Sequence, residues 1–270
     1  MIRSYLHTGA RDPRTRIWFE TSPRHLAGRG DPCRITQTLR AAGWKSHSDP
    51  DYPHIVLASP DYQHSLVLEP EPVPCKASWR VRGQSDHTSW YTEFSAHVPV
   101  EIVAALTDAL LQPAPETTPD IWPALVSAGW SYQHDEQGNE TASHPDGILG
   151  LRRWTVDPDE GFYWTAQALL PDGGGRLWRA SLDDGMPAHL IAAFTNALAS
   201  DKPVQREMWD VPHTHLVTQE ARGPQGEELA AAHEARLKSV RAAARMAQRM
   251  ASPQTQPPVP PPAHYTSVRR

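Results

Sequence analysis

Cysteine is almost missing from this chain: 270 residues contain two, Cys33 and Cys75. Both fall in the first half and have no counterparts later, which speaks against a disulfide framework and makes a cytoplasmic protein the expectation. Long apolar runs are missing as well. None approaches the ~20 residues a membrane span needs, and the basic start, residues 1–16, lacks the apolar stretch of a signal peptide. Catalytic constellations are equally scarce. There is no Gly-x-Ser-x-Gly elbow, no Cys–His pairing in a sensible context and no recurring carboxylate pair. The glycine run Pro171-Asp-Gly-Gly-Gly175 lacks the lysine and Ser/Thr of a phosphate loop. Nothing here argues for an enzyme, and neither a cofactor nor a metal is expected.

What is abundant is proline (27 residues) and tryptophan (10). With a mean hydropathy of −0.56, the prolines point to long loops and an unfolded tail. The net charge of −5 is unevenly spread: +2 over residues 1–23, −2 over 24–113, −8 over 114–202 and +3 over 203–270. A protein that grips nucleic acid through its folded part shows a basic face there. Here the middle is acidic and the tail leans basic.

The chain repeats itself. Ile35 to Trp44 aligns with Ile121 to Trp130 at an offset of 86, and Val98 to Leu110 with Met186 to Leu198 at an offset of 88. Between them, Pro60-Asp61 meets Pro145-Asp146 and Trp90 meets Trp178. Asp31-Pro32 reads as a cap followed by a first-turn proline, with Ile35, Leu39 and Ala42 at helical spacing. Gly43 takes the left-handed position that ends the helix, and Trp44 turns onto the core. A second helix opens at Pro99 and lines up Ile102, Val103, Leu106, Ala109 and Leu110; Leu190, Ile191, Phe194, Ala197 and Leu198 do the same after Pro187. Between the helices lie short β-prone runs, 54–58, 65–69, 78–82 and 89–94.

The expected fold class is α+β: two tandem modules of helix, antiparallel sheet of three to four strands, and helix, with both helices on one sheet face, then a helical and disordered C-terminal tail. The boundaries read as an N-terminal extension with one strand (1–23), the first module (24–113), a stiff proline linker (114–119), the second module (120–202), a connector (203–225), a basic helix (226–251) and a proline-rich tail (252–270).

Ser59-Pro60-Asp61-Tyr62, in the context Val56-Leu-Ala-Ser-Pro-Asp-Tyr and with Ser22-Pro-Arg-His-Leu-Ala-Gly28 upstream, resembles the actinobacterial SPDY domain family, a domain of unknown function commonly found in tandem. The resemblance spans residues 22–200. It is looser in the second copy, where Ser143-His144-Pro145-Asp146-Gly147 reads as an inserted His with Tyr replaced by Gly. It implies a cytoplasmic protein of Streptomyces type and brings no activity and no catalytic residues.

The candidate contact residues are those that differ between the copies. The first hairpin is rich in His and Asp, with His54, Asp61, Tyr62 and His64 as possible ligand or partner contacts. Their spacing fits no metal motif, so polar hairpin residues are the plainer reading. Of the Trp residues without a counterpart in the other copy (Trp18, Trp122, Trp154 and Trp209), Trp122 and Trp154 are the candidates for a contact surface. In the tail, Arg236, Lys238, Arg241, Arg245 and Arg249 follow an acidic helix start, a polarity that suits the helix dipole. The apolar residues there are too sparse to mark a coiled-coil seam, and a solvated helix is the plainer reading.

Double-stranded RNA-binding domains share the order of elements, but the start of the second helix has no lysine cluster here, so that analogy carries nothing. The leading expectation is a non-enzymatic interaction module that binds a protein partner through the tandem domains. The alternative is nucleic-acid contact through the basic helix, and the weaker one is a small molecule or enzyme site at the His/Asp hairpin.

Overall fold

The computed structural model describes residues 16–70, 77–85, 88–155 and 161–251; Cys75 and the proline-rich end, residues 252–270, lie outside them. The first module runs α1 (Cys33–Ala41), β2 (Lys45–Ser46), β3 (Ile55–Ala58), β4 (His64–Leu68), β5 (Ala77–Ser85), β6 (Thr88–Ser95) and α2 (Val100–Ala109). The second repeats that order as α3 (Pro123–Ser127), β7 (Ser131–His134), β8 (Glu140–Ser143), β9 (Leu149–Trp154), β10 (Tyr163–Leu169), β11 (Arg176–Asp183) and α4 (Ala188–Leu198).

The helix ends follow from the residues named above. The Asp31 carboxylate accepts the Cys33 N–H at 2.8 Å, a side-chain cap for the first turn. Gly43 and Gly129 sit at φ 95° and 83°, the left-handed region where a Cβ is costly. That reversal lets the main-chain N–H of Trp44 return to Leu39 and that of Trp130 to Leu125, dropping both indoles into the core at 6% and 4% exposure.

Each module has five strands, and all ten pair into one antiparallel sheet ordered β2-β3-β4-β5-β6-β11-β10-β9-β8-β7. The fifth strand of each module, β2 or β7, is a short polar edge strand whose side chains are exposed, so no alternation of apolar residues announces it. The two halves meet where β6 pairs with β11, with Glu93 opposite its own counterpart Ser181. Antiparallel pairing of equivalent strands relates the modules by an approximate two-fold axis at that point. Alternate residues along these strands are buried on one face: Trp90, Thr92 and Phe94 on β6, Trp178, Ala180 and Leu182 on β11. The helices cover this face, and one hydrophobic core runs through both modules. Phe94 and Phe194, rings 6.0 Å apart, pack across the join.

Trp79 and Trp164 occupy matching places on β5 and β10, beside Phe94 and its counterpart Leu182. They are a third repeat-equivalent pair that the sequence alignment passes over, because loop changes shift the local offset to 85.

A second sheet of three strands, ordered β12-β1-β13, joins the ends of the folded chain: β1 (Phe19–Ser22) lies between β12 (Val204–Arg206) and β13 (Thr218–Glu220). Its anchor is the buried Arg206. The guanidinium donates to the carbonyls of Ala27 and Gly28 and to both carboxylate oxygens of Glu101, in the first turn of α2.

The last helix, α5 (Gly226–Ala251), lies along α1. Leu237 is buried, and Leu229, Ala230, His233, Val240 and Ala244 are half-buried at spacings of three and four. His233 meets the Gln37 amide oxygen at 2.8 Å. The helix is therefore packed along one face rather than solvated all round, with alanine and histidine filling several positions of that face beside Leu229, Leu237 and Val240.

Candidate functional site

The structure separates the residues singled out in the first hairpin. His54 lies 3.7 Å from Glu69, which also pairs with Arg80. His64 is on the helix-covered side against Trp90, rings 6.0 Å apart, where burial lowers its pKa. Asp61 accepts hydrogen bonds from the Ser59 hydroxyl, at 2.5 Å, and from the Gln63 N–H. The Ser59 bond is the main reason its pKa is lowered. Tyr62 has φ 60° at the tip of the turn, with its hydroxyl 3.1 Å from the Lys45 ammonium. His54 and His64 thus meet different partners, Glu69 and Trp90, and the turn between them is closed by Ser59, Asp61 and main-chain groups.

The same turn in the second module keeps its backbone and changes its side chains. His144 N–H donates to the Leu149 carbonyl as Ser59 N–H does to His64, and Gly147 N–H returns to His144 as Tyr62 does to Ser59. His144 therefore replaces Ser59 with nothing inserted, which corrects the alignment by one residue. Gly147 (φ 73°) stands for Tyr62.

Around this turn a cluster assembles. His25, buried in a short helical turn before α1, places Nε2 2.8 Å from one Asp146 carboxylate oxygen. His144 Nδ1 is 2.8 Å from the other. That second oxygen also accepts the Ile148 N–H at 2.9 Å. Burial lowers the pKa of His25, against the opposing pull of Asp146. For Asp146, burial works upward, but the Ile148 N–H and the two histidines hold the carboxyl below its usual range. His25 and Asp146 are 121 residues apart in sequence, too far for any motif to join them. The one available signal was His144 itself, a departure from the first copy at a repeat-equivalent position.

Trp122 and Trp154 lie on opposite faces of the sheet. Trp122 stacks against the buried Trp164, centroids 5.3 Å apart, and against Tyr132, so it is largely a core residue that also lines a shallow cleft of about 310 Å³. Trp154 is on the face away from the helices, its indole N–H on the Thr165 hydroxyl at 3.3 Å and its ring 5.9 Å from Tyr163. Trp209 is 84% exposed beside the small sheet.

Among the described residues, no helix covers the other face of the sheet. Across its centre, Val67, Arg80, Arg82, Tyr91, Glu93, Arg179, Ser181, Thr165, Gln167 and Arg152 point outward, and none is buried. Arg82 lies over the Tyr91 ring at 5.2 Å, and the Tyr91 hydroxyl donates to Glu93. Burial and that hydrogen bond push the Tyr91 phenol up to about 12. Tyr163 and Leu169 on β10 are each 44% exposed. Of the four lysines, one falls in the ten strands of this sheet, Lys45 in the edge strand β2.

Of the tail cations, Lys238, Arg241, Arg245 and Arg249 are exposed and share one flank of α5, beside its seam. Arg236 lies on the other flank near Arg34 and Asp108. Burial, with Asp31 adding to it, pushes the Cys33 thiol up to about 12, which keeps it in the protonated form at neutral pH.

A model of the SPDY domain, a domain of unknown function (DUF317), matches residues 58–116 and 143–204. Each segment begins at a Pro-Asp turn and ends beyond the module's second long helix. No curated protein and no solved structure matches the chain.

Proposed function

Since the chain carries two SPDY domains in tandem, fused here into one sheet, we propose that it is a non-enzymatic binding platform whose helix-free sheet face receives a protein partner. The observation that carries this reading is the face itself. Nine steps of ~4.8 Å across ten strands, by about five residues of ~3.3 Å, give roughly 43 by 17 Å. That is ~700 Å², close to the ~800 Å² each partner gives to an interface of standard size. Its composition fits as well. Arginine, tyrosine and tryptophan are the residues that dominate binding energy at interfaces, and lysine is depleted there. Arg152, Arg179 and Arg82 favour a partner that offers carboxylates or carbonyl groups around an apolar patch.

The test is site-specific photo-crosslinking. A crosslinker at Gln167 should capture a defined protein, and Trp154→Ala with Tyr163→Ala should abolish the capture. Capture that survives those substitutions, or that occurs equally from an exposed position on α5, overturns the reading.

The exposed flank Lys238–Arg249 favours a second reading, contact with nucleic acid through α5. Binding of that kind falls steeply with salt, with a slope near −0.9 per phosphate neutralised on duplex DNA. Duplex binding that is insensitive to deletion of residues 226–270 rules it out.

A further inference from the structure

We propose that His25, His144 and Asp146 form a binding site for a divalent transition-metal ion of the zinc type, with the remaining coordination positions open to solvent. The three donor atoms lie within 4.8 Å of one another. Each imidazole is 2.8 Å from a carboxylate oxygen. Tetrahedral ligands ~2.05 Å from one ion lie about 3.3 Å apart, so each contact opens by only about half an ångström when both atoms bind a shared ion. Imidazole and carboxylate are the donor set this class of ion takes.

Two features set this cluster apart from ordinary turn polarity. The first is the internal comparison. The equivalent turn at Ser59-Pro60-Asp61 closes with a serine hydroxyl bond and needs no histidine. Neither His144 nor the delivery of His25 from outside the module is therefore required to make the turn. The second is a conflict at Nδ1 of His144. The main-chain N–H of Asp146 points at it from 3.3 Å, which asks for a lone pair. The Asp146 carboxylate oxygen faces it from 2.8 Å, which asks for a proton. No single protonation state of the ring satisfies both neighbours. With the lone pair kept, nitrogen and carboxylate oxygen face each other as two acceptors, and a cation shared by them takes that lone pair in place of the long 3.3 Å contact from the Asp146 N–H.

The donors are also held by neighbours, as metal ligands generally are. Trp178 binds the backbone of His25 at 2.7 Å, the Ile148 N–H holds Asp146, and Trp130 packs edge-on against His144 with centroids 5.4 Å apart. His25 is buried, whereas His144 and Asp146 are about a quarter exposed. An ion has an entry path from their side.

The experiment uses the untagged full chain, stripped with chelator, and titrates it with Zn²⁺ by calorimetry and with Co²⁺ by visible absorption. One equivalent of Zn²⁺ should bind, and Co²⁺ should develop ligand-field bands that Zn²⁺ abolishes. The decisive variant is His144→Ser, which writes the first module's own turn into the second and so keeps the fold. It should lower affinity by more than the roughly 10–100-fold that loss of an outer-shell partner costs, with an unchanged far-UV spectrum. His25→Gln should act in the same direction. No Zn²⁺ binding by the wild-type chain, or binding as tight as the wild type's by both His144→Ser and His25→Gln, overturns the proposal and leaves a hydrogen-bonded staple.

Discussion

The indole N–H of Trp178 donates to the backbone carbonyl of His25, 2.7 Å away, and so ties the N-terminal segment into the second module. Trp90, the counterpart of Trp178 in the first module, is as deeply buried, yet its indole N–H meets no acceptor among the described residues. The repeat thus has one satisfied and one unsatisfied tryptophan at the same place. Trp178→Phe should cost about 1–3 kcal/mol, because it leaves a buried carbonyl without its donor. Trp90→Phe removes no bond and should cost clearly less. Urea denaturation of the two variants gives the comparison; equal losses would contradict it.

Gly83 extends the same asymmetry. A Cβ there would lie 2.3 Å from the Trp90 ring, whereas Ala168, at the matching place beside Trp178, already carries one. Gly83→Ala should therefore lower stability by about 1–3 kcal/mol or more through overpacking. The midpoint of thermal unfolding reads this directly, and an unchanged midpoint would mean that the indole has room to move.

Acid should loosen the junction between α2 and the small sheet. Burial pushes the Glu101 carboxyl up, but Arg206, by charge and by hydrogen bonds, pulls it below the usual glutamate range. A depressed folded-state value means that the stabilisation is fully present above the unfolded-state pKa of about 4.3 and is lost as pH falls through the lower folded value. Glu101→Gln should remove that part of the acid dependence and cost about 2–4 kcal/mol at neutral pH, since Arg206 stays buried without its counter-charge. Stability measured from pH 7 to 2.5 on both chains tests the sign.

The seam of α5 is a local one. Leu237→Asp should free the helix from α1 while the ten-stranded sheet keeps its core, since Leu237 is the one buried large apolar residue of that helix. Hydrogen exchange should then rise in residues 226–251 and stay unchanged in β3–β6 and β8–β11. Cooperative loss of protection everywhere would show that α5 belongs to the main folding unit.

The parts of the fold legible in the sequence are those set by local chemistry. Gly43 and Gly129 at left-handed φ, Pro99 and Pro187 before the second helix, and the alternation around Trp90 and Trp178 all act within a few residues. What depends on distant partners was not legible. The polar β2 and β7 pair because a neighbour offers an edge. The joining of both modules through β6 and β11 is a register between strands far apart in sequence, and His25 reaches Asp146 across 121 residues. The repeat supplies a comparison that the sequence alignment missed by reading His144 as an insertion: His144 takes the place of Ser59, whose hydroxyl bonds Asp61 in the first turn.

The proposal that the helix-free sheet face binds a protein is tested most directly by charge reversal on it. The affinity of the partner captured from Gln167 would be measured for the wild-type chain and for Arg152→Glu with Arg179→Glu. Both are exposed residues whose change leaves the core untouched. Two arginines of interface hot-spot type, at about 2 kcal/mol each, predict a loss of several-hundred-fold or more in affinity with an unaltered far-UV spectrum. Unchanged affinity of that double variant, together with loss of binding on deletion of residues 226–251, would contradict the account and move the interaction to α5.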